Sequence, residues 1–369
     1  MVYVHVPFCR SFCTYCDFYS EIACKGRDTE SFETYTEALC AEISRRKGDP
    51  GAVCDPHTLY IGGGTSSVLD PAHLRRIVGA LRMTGGVPQE PFTEFTVEVN
   101  PEDIVEKGPD YVRDLLDLGV NRISMGVQSL DDGILRWMNR RHDAARARQA
   151  VRILRGAGVS NLSLDLIFGL SQLTEATLDA TLDGILDMRP EHISAYQLSI
   201  EEGSTLGAWV RAGRYAEAPQ EQCAAQYARI CRRLREAGYV HYEISNWALP
   251  GHEAVHNSAY WTRSPYVGLG PGAHSFDGTT RSWNPSDLQA WLQQEIPASH
   301  SETLSEAEAR EERIFLGLRT AQGIAEGLVA PAQAAPLLAD GRLVRTGSGR
   351  LRIPEDHWFV SDDIIADLI

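Results

Sequence analysis

The sequence predicts an α/β fold built on a parallel sheet that is arranged as an open or partial barrel. Short apolar, β-branched runs alternate with amphipathic helical stretches from residue 2 to about residue 245. Such alternation implies parallel strands joined by right-handed crossovers. Six strand–helix units plus one further strand fit a partial barrel better than a flat doubly wound sheet, although periodicity alone leaves both architectures open. In either architecture the functional residues gather at the carboxyl ends of the strands.

The predicted elements follow from apolar runs of strand length and from apolar residues at helical spacing. The strands are expected at 2–6, 58–62, 96–100, 122–127, 162–168, 192–199 and 239–245. The helices between them are expected at 29–46, 71–81, 110–118, 144–157, 174–188 and 220–237.

The rest of the chain predicts two further regions. We expect residues 1–245 to form the barrel, and residues 246–290, which are rich in Gly, aromatic and His residues, to extend it. Residues 291–369 predict a small α+β domain with a helix at 306–320, one or two helices within 326–339, a hairpin of 342–345 with 350–353, and a last helix at 361–369. Helices followed by a β-hairpin can mark a nucleic-acid module, but the acidic composition favours a packing or interaction role.

Composition excludes several classes of protein. The 369 residues are 43% hydrophobic and 23% charged, as in ordinary globular proteins. The formal net charge of −15 argues against a nucleic-acid partner and against an anionic membrane surface. The sequence has no apolar run of about eighteen residues, so we expect no integral membrane protein. A strand begins at residue 2 with no signal-peptide pattern before it, so the expected compartment is the cytoplasm.

Three cysteines after the first strand carry most of the chemical information. Cys9, Cys13 and Cys16 have C-x3-C-x2-C spacing, which lets three thiols converge on one loop. Thiolates are the usual ligands of iron–sulfur clusters, and three of them leave one iron of a 4Fe–4S cluster open. A zinc site would need a fourth ligand, which His5 could supply. A disulfide is disfavoured because nothing else indicates a secreted protein.

Glycines and a carboxylate follow the second and third predicted strands. Gly63 and Gly64 have no Cβ, so they allow the backbone to approach a ligand closely, and Thr65 follows them directly. Glu98 ends the third strand, together with Asn100, where it can accept hydrogen bonds from ligand hydroxyls such as those of a ribose. The alternative for Glu98 is an exposed strand charge.

The fourth and fifth strands add further polar groups. Gln128 offers a donor and an acceptor together, and Arg140 can bind a carboxylate through two parallel hydrogen bonds. Asp165 lies inside a strongly apolar strand, so it needs a partner, which a ligand or Arg140 could supply. Polar groups from five strands therefore meet at one rim, and this indicates a site.

The same residues carry a resemblance to a known family. The matching segments are Tyr3-x-His5-x-Pro7-Phe8-Cys9, the GGGT run, Val-Glu-Val-Asn-Pro around Glu98, Gly126-Val127-Gln128-Ser129 and the Asp-Leu-Ile-Phe-Gly-Leu run from Asp165. The chain thereby resembles the radical SAM superfamily and, over nearly its whole length, the oxygen-independent coproporphyrinogen III oxidase group. The resemblance implies a partial (β/α)6 TIM-like barrel with a small C-terminal domain. It also implies a 4Fe–4S cluster on the three cysteines and S-adenosylmethionine at the open iron.

The resemblance also implies which residues contact S-adenosylmethionine. The expected set is Tyr3, Gly63, Gly64, Thr65, Glu98, Gln128, Arg140 and Asp165, with Tyr15 lying against the same cofactor.

Two functions divide this group. Its dehydrogenases, which decarboxylate coproporphyrinogen III, carry a further Cys two positions after the third, where this chain has Phe18. Asp17-Phe18 resembles instead the haem chaperone branch, HemW, as do the runs that begin at Tyr242, His256 and Gly268. That branch implies haem as a ligand, a haem-acceptor protein such as a respiratory enzyme, and an electron donor if S-adenosylmethionine is cleaved. The alternatives are a coproporphyrinogen dehydrogenase, a radical enzyme on another tetrapyrrole, and a binding protein without a cluster.

The run His256-Asn257-x-x-Tyr260-Trp261 predicts a haem contact. Imidazole is a good axial ligand for haem iron, and aromatic faces cover the porphyrin plane. His256 is the first candidate, with His252 and His274 behind it. The alternative is a histidine that supports a loop by hydrogen bonds. Cys223 or Cys231 could also bind haem iron, although their helical setting favours simple burial.

Overall fold

The computed structural model describes residues 1–23, 28–49, 57–83, 91–293 and 300–369. The strands are β1 Val2–Val6, β2 Phe8–Cys9, β3 Glu21–Ile22, β4 Thr58–Gly63, β5 Glu94–Val99, β6 Arg122–Gln128, β7 Leu162–Phe168, β8 His192–Gln197, β9 Val240–Glu243, β10 Asn246–Ala248, β11 Val267–Leu269, β12 His274–Phe276, β13 Thr280–Trp283, β14 His300–Thr303, β15 Ile324–Ala325, β16 Val344–Arg345 and β17 Arg350–Arg352.

The helices alternate with these strands through most of the chain. They are α1 Asp28–Arg45, α2 Pro71–Met83, α3 Pro101–Leu118, α4 Asp132–Trp137, α5 Ala144–Ala157, α6 Glu175–Asp187, α7 Thr205–Arg211, α8 Gln220–Glu236, α9 Val255–Trp261, α10 Leu288–Leu292, α11 Glu306–Gly317, α12 Pro331–Ala339 and α13 Ser361–Ala366. Within the described ranges, 3-10 helices span Ser66–Val68, Glu326–Leu328 and Glu355–Val360.

A nine-stranded sheet forms the centre, in the order β11-β1-β4-β5-β6-β7-β8-β10-β9. The six strands from β1 to β8 in this order are parallel and follow one another as they do along the chain. A doubly wound sheet would reverse its order at a switch point, whereas this continuous order is that of a barrel. The predicted partial barrel is confirmed, with β10 and β9 added antiparallel at one edge.

Most elements lie where their apolar pattern predicts them. Helix α2, for example, buries Leu74, Ile77, Val78 and Leu81 at the spacing of one helical face. Helix α3 differs from the prediction, because helical structure already begins at Pro101. Gly108 interrupts it with φ 73°, and Pro109 starts the second half. The helix expected at 110–118 is therefore only the second half of a kinked helix.

The regions after the barrel strands join the barrel directly. Strand β11 pairs in parallel with β1, so the Gly-rich extension contributes strands to the central sheet. Strands β12, β13 and β14 form a separate antiparallel sheet. In the tail, β16 and β17 form the predicted antiparallel pair. The tail contacts the barrel edge through backbone hydrogen bonds from Ile244 N to Arg319 O and from Ala321 N to Tyr242 O, both 3.0 Å.

Among the helices of the described residues, none has both the length and the apolar character that crossing a bilayer requires.

Candidate functional site

The cysteine loop lies between β2 and β3, which hold it at its base. These two short strands pair in parallel, with Cys9 opposite Ile22. On the other side, Thr14 N donates to Met138 O (3.1 Å) and Asn139 Nδ2 donates to Phe12 O (2.7 Å). The loop is thus fixed both by its own ends and by the segment that follows α4.

A continuous set of polar contacts connects two of the cysteines across the strand ends. Cys9 Sγ lies 3.5 Å from Thr65 Oγ1, which accepts a hydrogen bond from Asn100 Nδ2 at 3.2 Å. Asn100 Oδ1 accepts from Arg140 Nη2 at 2.8 Å, and Arg140 Nη1 donates to Cys13 Sγ at 3.4 Å. We call these five residues the cysteine ring. It connects Cys9 and Cys13, two of the predicted cluster ligands, with Thr65 and Arg140, two of the residues expected to contact S-adenosylmethionine.

The three thiols are free, and the surroundings of Cys9 and Cys16 favour the protonated form. Burial raises the pKa of Cys9, and it raises the pKa of Cys16 to about 11, with the Cys13 and Cys9 thiols adding to the effect on Cys16. The guanidinium of Arg140 acts in the opposite direction on both. A metal centre here must therefore displace thiol protons, as metal–thiolate binding generally does.

Arg140 keeps its charge in this setting. Burial alone would lower its pKa, but Tyr15, Cys13 and Glu102 favour the charged form and the pKa is raised. Tyr15, within the cysteine loop, faces both Cys13 and Arg140.

Gly63 and Gly64 are required where β4 meets the cysteine loop. Gly63 has φ 111°, and a Cβ there would lie 2.7 Å from the His5 ring. A Cβ on Gly64 would lie 2.8 Å from Phe8 O and 3.1 Å from Cys9 Sγ. The close approach predicted for these glycines is therefore made, in this structure, by the His5 ring at Gly63 and by Phe8 and Cys9 at Gly64.

Glu98 lies half-buried at the end of β5 with two partners. Tyr60 donates its hydroxyl to Oε1 at 2.6 Å, and Gly63 N donates to Oε2 at 3.0 Å. Burial raises the pKa of Glu98 to about 7, with Asp165 adding to the rise and the Tyr60 hydrogen bond opposing it. The alternative of an exposed strand charge is wrong. A carboxylate accepts about four hydrogen bonds, so capacity remains for ligand hydroxyls.

Gln128 has two features that are typical of functional residues. It has φ 66°, a strained value for a side-chain-bearing residue, at a register shift between β6 and β7. Its Oε1 is buried without a hydrogen-bond partner among the described residues. A Cβ on Gly126 would lie 2.7 Å from Gln128 Nε2, so that glycine makes room for the amide. An unpaired buried acceptor held by strained backbone indicates a site for a ligand.

Asp165 has serine partners within the sheet. Ser124 and Ser163 donate hydroxyls to it at 3.3–3.4 Å, and burial raises its pKa while the nearby Arg122 lowers it. The suggestion that Arg140 pairs with Asp165 is wrong, because Arg140 donates to Asn100, Gly126 O and Cys13.

Tyr3 and His5 form a pair beneath the cysteine loop. The His5 ring lies 3.0 Å from the Tyr3 hydroxyl through Nδ1 and 2.9 Å from Tyr19 O through Nε2. Burial lowers the pKa of His5, so the ring is neutral. Both nitrogens have partners, and the structure therefore gives no support to His5 as a fourth zinc ligand.

His256 is placed away from solvent. It is 1% exposed, and its nitrogens lie 2.7 Å from Thr58 Oγ1 and 2.9 Å from the Tyr260 hydroxyl. Burial lowers its pKa to about 3. The expectation that His256 contacts haem conflicts with this geometry, because neither nitrogen is available to iron unless the side chain leaves these partners. The alternative interpretation, a histidine that supports its loop, describes this structure.

Some residues of the site have no clear mark in the sequence. Asn100 is distinguished there only as a polar residue at a strand end, although it links Thr65 to Arg140. Tyr60 lies in the apolar strand β4 and donates to Glu98. Arg122 begins the apolar strand β6, and its charge opposes the rise that burial causes in the pKa of Asp165. Polar residues within a strand that is otherwise buried on both faces would have been the available signal.

The chain is similar in sequence to several known proteins. Residues 3–185 match the sequence profile of the radical SAM superfamily. Three curated proteins named heme chaperone HemW are similar over most of their length. That of Synechocystis sp. is 36% identical and covers 87% of this chain and 78% of its own. That of Mycobacterium tuberculosis is 33% identical, and the match covers 95% of this chain and 92% of the relative. That of Bacillus subtilis is 32% identical and covers 88% and 84%. The chain belongs to the HemW family of the radical SAM superfamily.

A solved structure supports the fold of this HemW family member. Coproporphyrinogen III oxidase from Escherichia coli superposes with a TM-score of 0.82 at 21% identity, over 99% of this chain and 89% of that one. Membership of the radical SAM superfamily implies a 4Fe–4S cluster and S-adenosylmethionine. The residues at the rim fit these groups, because the loop has three free thiols and the buried Gln128 Oε1 and Arg140 Nε have no partner among the described residues.

Proposed function

We propose that this protein is a haem chaperone, which binds haem and transfers it to an acceptor protein such as a respiratory enzyme. The observation that supports this most is the 32–36% identity, over most of both chains, to relatives that carry that name. Phe18 adds to it: this side chain, 73% exposed, stands where the dehydrogenases of the group carry a further Cys.

Cys9, Cys13 and Cys16 are the proposed ligands of the 4Fe–4S cluster. When bound, the cluster supplies an electron and S-adenosylmethionine a cleavable sulfonium. The cysteine ring has two roles here: Thr65 contacts the first thiol, and Arg140 places a permanent positive charge beside the second. Such a charge stabilises an anionic group beside it, as a metal-bound thiolate is.

The proposed S-adenosylmethionine contacts come from the cysteine loop, from the barrel strands and from the segments that follow these strands. They are Tyr3, Tyr15, Gly63, Gly64, Thr65, Glu98, Gln128, Arg140 and Asp165. Glu98 retains acceptor capacity for hydroxyls, and the unpaired Oε1 of Gln128 requires a donor. The geometry therefore supports contacts to a ligand that is rich in hydroxyl and amino groups.

We place the haem contact on the sheet of β12, β13 and β14 rather than at His256. His274 and His300, both exposed, flank Trp283 with ring centroids 5.6 and 5.9 Å from it. Partial burial and the charge of Arg281 lower the pKa of His274, which favours the neutral imidazole that binds iron. An exposed imidazole beside an indole offers an iron ligand and an apolar contact for the porphyrin.

Two measurements test this function on anaerobically purified protein with a reconstituted cluster. Haem titration should give saturable binding, and bound haem should transfer to an apo-haem protein. Incubation with coproporphyrinogen III, S-adenosylmethionine and a reductant should give no protoporphyrinogen. Formation of protoporphyrinogen would make the protein a haem-biosynthetic dehydrogenase, and non-saturable haem uptake would remove the chaperone function.

Variants separate the haem contact from the cluster. His274→Ala should weaken haem binding and keep the iron and sulfide content of the cluster. Cys13→Ala should lose the cluster and keep haem binding. His256→Ala is the comparison, since its side chain is buried in the structure. If His256→Ala weakens haem binding more than His274→Ala does, in folded protein, the ligand is His256 after all.

A further inference from the structure

Three potential metal ligands from distant parts of the chain meet at the edge of the barrel. They are Cys231 on α8, His241 on β9 and Glu355 in the tail, and their ligand atoms all lie within 4.8 Å of one another. Cys231 Sγ is 4.0 Å from His241 Nδ1, which is 3.0 Å from Glu355 Oε1. A tetrahedral ion with metal–sulfur bonds of about 2.3 Å and metal–nitrogen or metal–oxygen bonds of about 2.0 Å separates such donors by roughly 3.3–3.6 Å. The Cys231–His241 and His241–Glu355 separations differ from these values by about 0.5 Å or less, and the third separation is at most 4.8 Å.

The contacts of His241 allow a tautomer that suits a metal ligand. The hydroxyl of Tyr227 donates to Ile244 O at 2.8 Å. His241 Nε2 lies 3.4 Å from that carbonyl, to which it can donate, and 3.5 Å from the Tyr227 hydroxyl, from which it can accept. When Nε2 carries the proton, Nδ1 presents a lone pair to the Glu355 carboxylate at 3.0 Å, and a cation can bridge these two acceptors. When Nδ1 carries the proton, it donates to the carboxylate directly.

The tautomer with Nε2–H donated to a backbone carbonyl is the arrangement typical of metal-binding histidines, because it orients the ring and leaves Nδ1 free.

Outer contacts fix the other groups. Arg235 forms an ion pair with Glu355 Oε2, so Oε1 is the oxygen directed at His241. The His241 ring is stacked on Trp247 at 4.0 Å and meets the edge of Trp358 at 4.3 Å. These contacts hold the imidazole and carboxylate in place before any ion arrives, which is what a built metal site requires.

We propose that Cys231, His241 and Glu355 bind one divalent ion of the zinc class and thereby join α8, β9 and the tail. A donor set of one sulfur, one nitrogen and one oxygen suits a borderline ion, with zinc the first choice. The side chain of Glu355 is 29% exposed, so a water molecule has access to the fourth position. This site is separate from the cysteine loop and does not depend on the proposed haem function.

The test uses the full chain with Cys9, Cys13 and Cys16 replaced by Ala, so that the cluster ligands cannot bind the probe. Anaerobic titration with Co²⁺ should give thiolate-to-cobalt charge-transfer absorption that saturates at one equivalent. Cys231→Ser should abolish that absorption, and His241→Phe should weaken Co²⁺ binding at least about tenfold, as loss of an ordering partner alone already does. Cys223→Ser, a buried cysteine on the same helix, is the matched control and should leave the titration unchanged.

Far-UV circular dichroism establishes that each variant is folded. In the protein with its native cysteines, zinc content per chain should fall by one equivalent in Cys231→Ser and stay constant in Cys223→Ser. Absence of the absorption band in folded protein, or a band that survives both Cys231→Ser and His241→Phe, would overturn the proposal. The gap between His241 and Glu355 would then be filled by a proton.

Discussion

Asn100 holds a donor and an acceptor at the end of β5, and the cysteine ring uses both. Its Nδ2 donates to Thr65 Oγ1 and its Oδ1 accepts from Arg140. A buried N–H left without a partner costs about 1–3 kcal/mol. Asn100→Ala leaves the buried Arg140 with an unpaired N–H, so we expect a loss of that size in urea unfolding and a lower iron content after reconstitution.

Asn100→Asp provides the control for this prediction. The carboxylate still accepts from Arg140 but no longer donates to Thr65. We expect its stability to stay closer to that of the native protein than to that of Asn100→Ala. Equal losses in the two variants would show that the Arg140 contact is not what stabilises the ring.

Glu98 predicts a pH dependence of S-adenosylmethionine binding. Its pKa of about 7 lies above the usual 4.5. As the pH rises from 4.5 through 7, the cost of ionising this carboxyl therefore lowers the stability of the ligand-free protein. The ionised form is the better acceptor for ligand hydroxyls. We therefore expect affinity to increase between pH 6 and 8, measured by isothermal titration calorimetry.

Glu98→Gln should remove that increase. At pH 8 it should also bind S-adenosylmethionine about tenfold or more weakly, because a hydrogen bond to a charged group contributes about 1.5–3 kcal/mol. An unchanged pH profile in Glu98→Gln would assign the titration to another group.

Local patterns explain why residues such as Gln128 were predicted and others were not. Gln128 follows a strand directly, and its position at the rim needs only the alternation of strands and helices. The charge of Arg122 acts on Asp165 from the neighbouring strand, and Arg140 reaches Cys13 from 127 positions away. Such pairings depend on side-chain length and register, which periodicity does not contain. His256 shows the reverse case: its motif suits haem, but burial against Thr58 decides its contacts.

At the scale of elements, the start of α3 supports the strand that carries Gln128. Glu102 in its first turn lies 3.2 Å from His142 Nδ1, and His142 Nε2 lies 3.1 Å from Val127 O. Although burial alone would raise it, the pKa of Glu102 is lowered to about 2 by the His142 hydrogen bond and the charge of Arg140.

A lowered carboxyl pKa stabilises the fold above the usual value of 4.5, and that stabilisation is lost as the pH falls from 4.5 toward 2. The shift corresponds to on the order of 3 kcal/mol at neutral pH. Glu102→Gln should lower stability at pH 7 by a similar order and reduce the loss between pH 4.5 and 2 in acid unfolding. Glu106→Gln, an exposed member of the same helix paired with Arg10 and Arg141, should change stability by less than about 1 kcal/mol.

Most element positions agree with the sequence prediction, with several exceptions. The strand expected at 239–245 ends at Glu243, and the chain turns back there to form the antiparallel strand β10. Helices α4 and α7 were not predicted. Strands such as β7 and helices such as α5 have the predicted limits, because a buried strand or an amphipathic helix is defined by its own residues. Helix α3 does not, since Gly108 and Pro109 interrupt the pattern locally while packing keeps both halves helical.

At the scale of the whole molecule, the open edge of the central sheet explains why the tail packs beside β9. Strand β9 ends the central sheet, and an unpaired strand edge invites association with other chains. The tail covers this edge, with Thr320 bridged to Glu243 and with Trp358 packed on His241. We therefore regard the proposed units 1–245, 246–290 and 291–369 as parts that depend on one another.

Trp358 tests that dependence. It is fully buried and donates its indole N–H to Ile353 O at 2.9 Å. Trp358→Ala should destabilise the protein by about 3–5 kcal/mol in chemical unfolding, the usual cost of removing a buried aromatic side chain. Val360→Ala in the same segment changes an exposed side chain and should cost less than about 0.5 kcal/mol.

The strands that are destabilised in Trp358→Ala show whether the tail covers the edge of the central sheet. If it does, Trp358→Ala should also expose β9, so light scattering should detect concentration-dependent association that Val360→Ala does not show. Hydrogen exchange should increase in β9 and β10, while β4 and β5 in the middle of the sheet stay protected. A variant that loses stability but remains monomeric, with β9 still protected, would mean that Trp358 stabilises the tail alone and that the barrel edge is closed by its own residues.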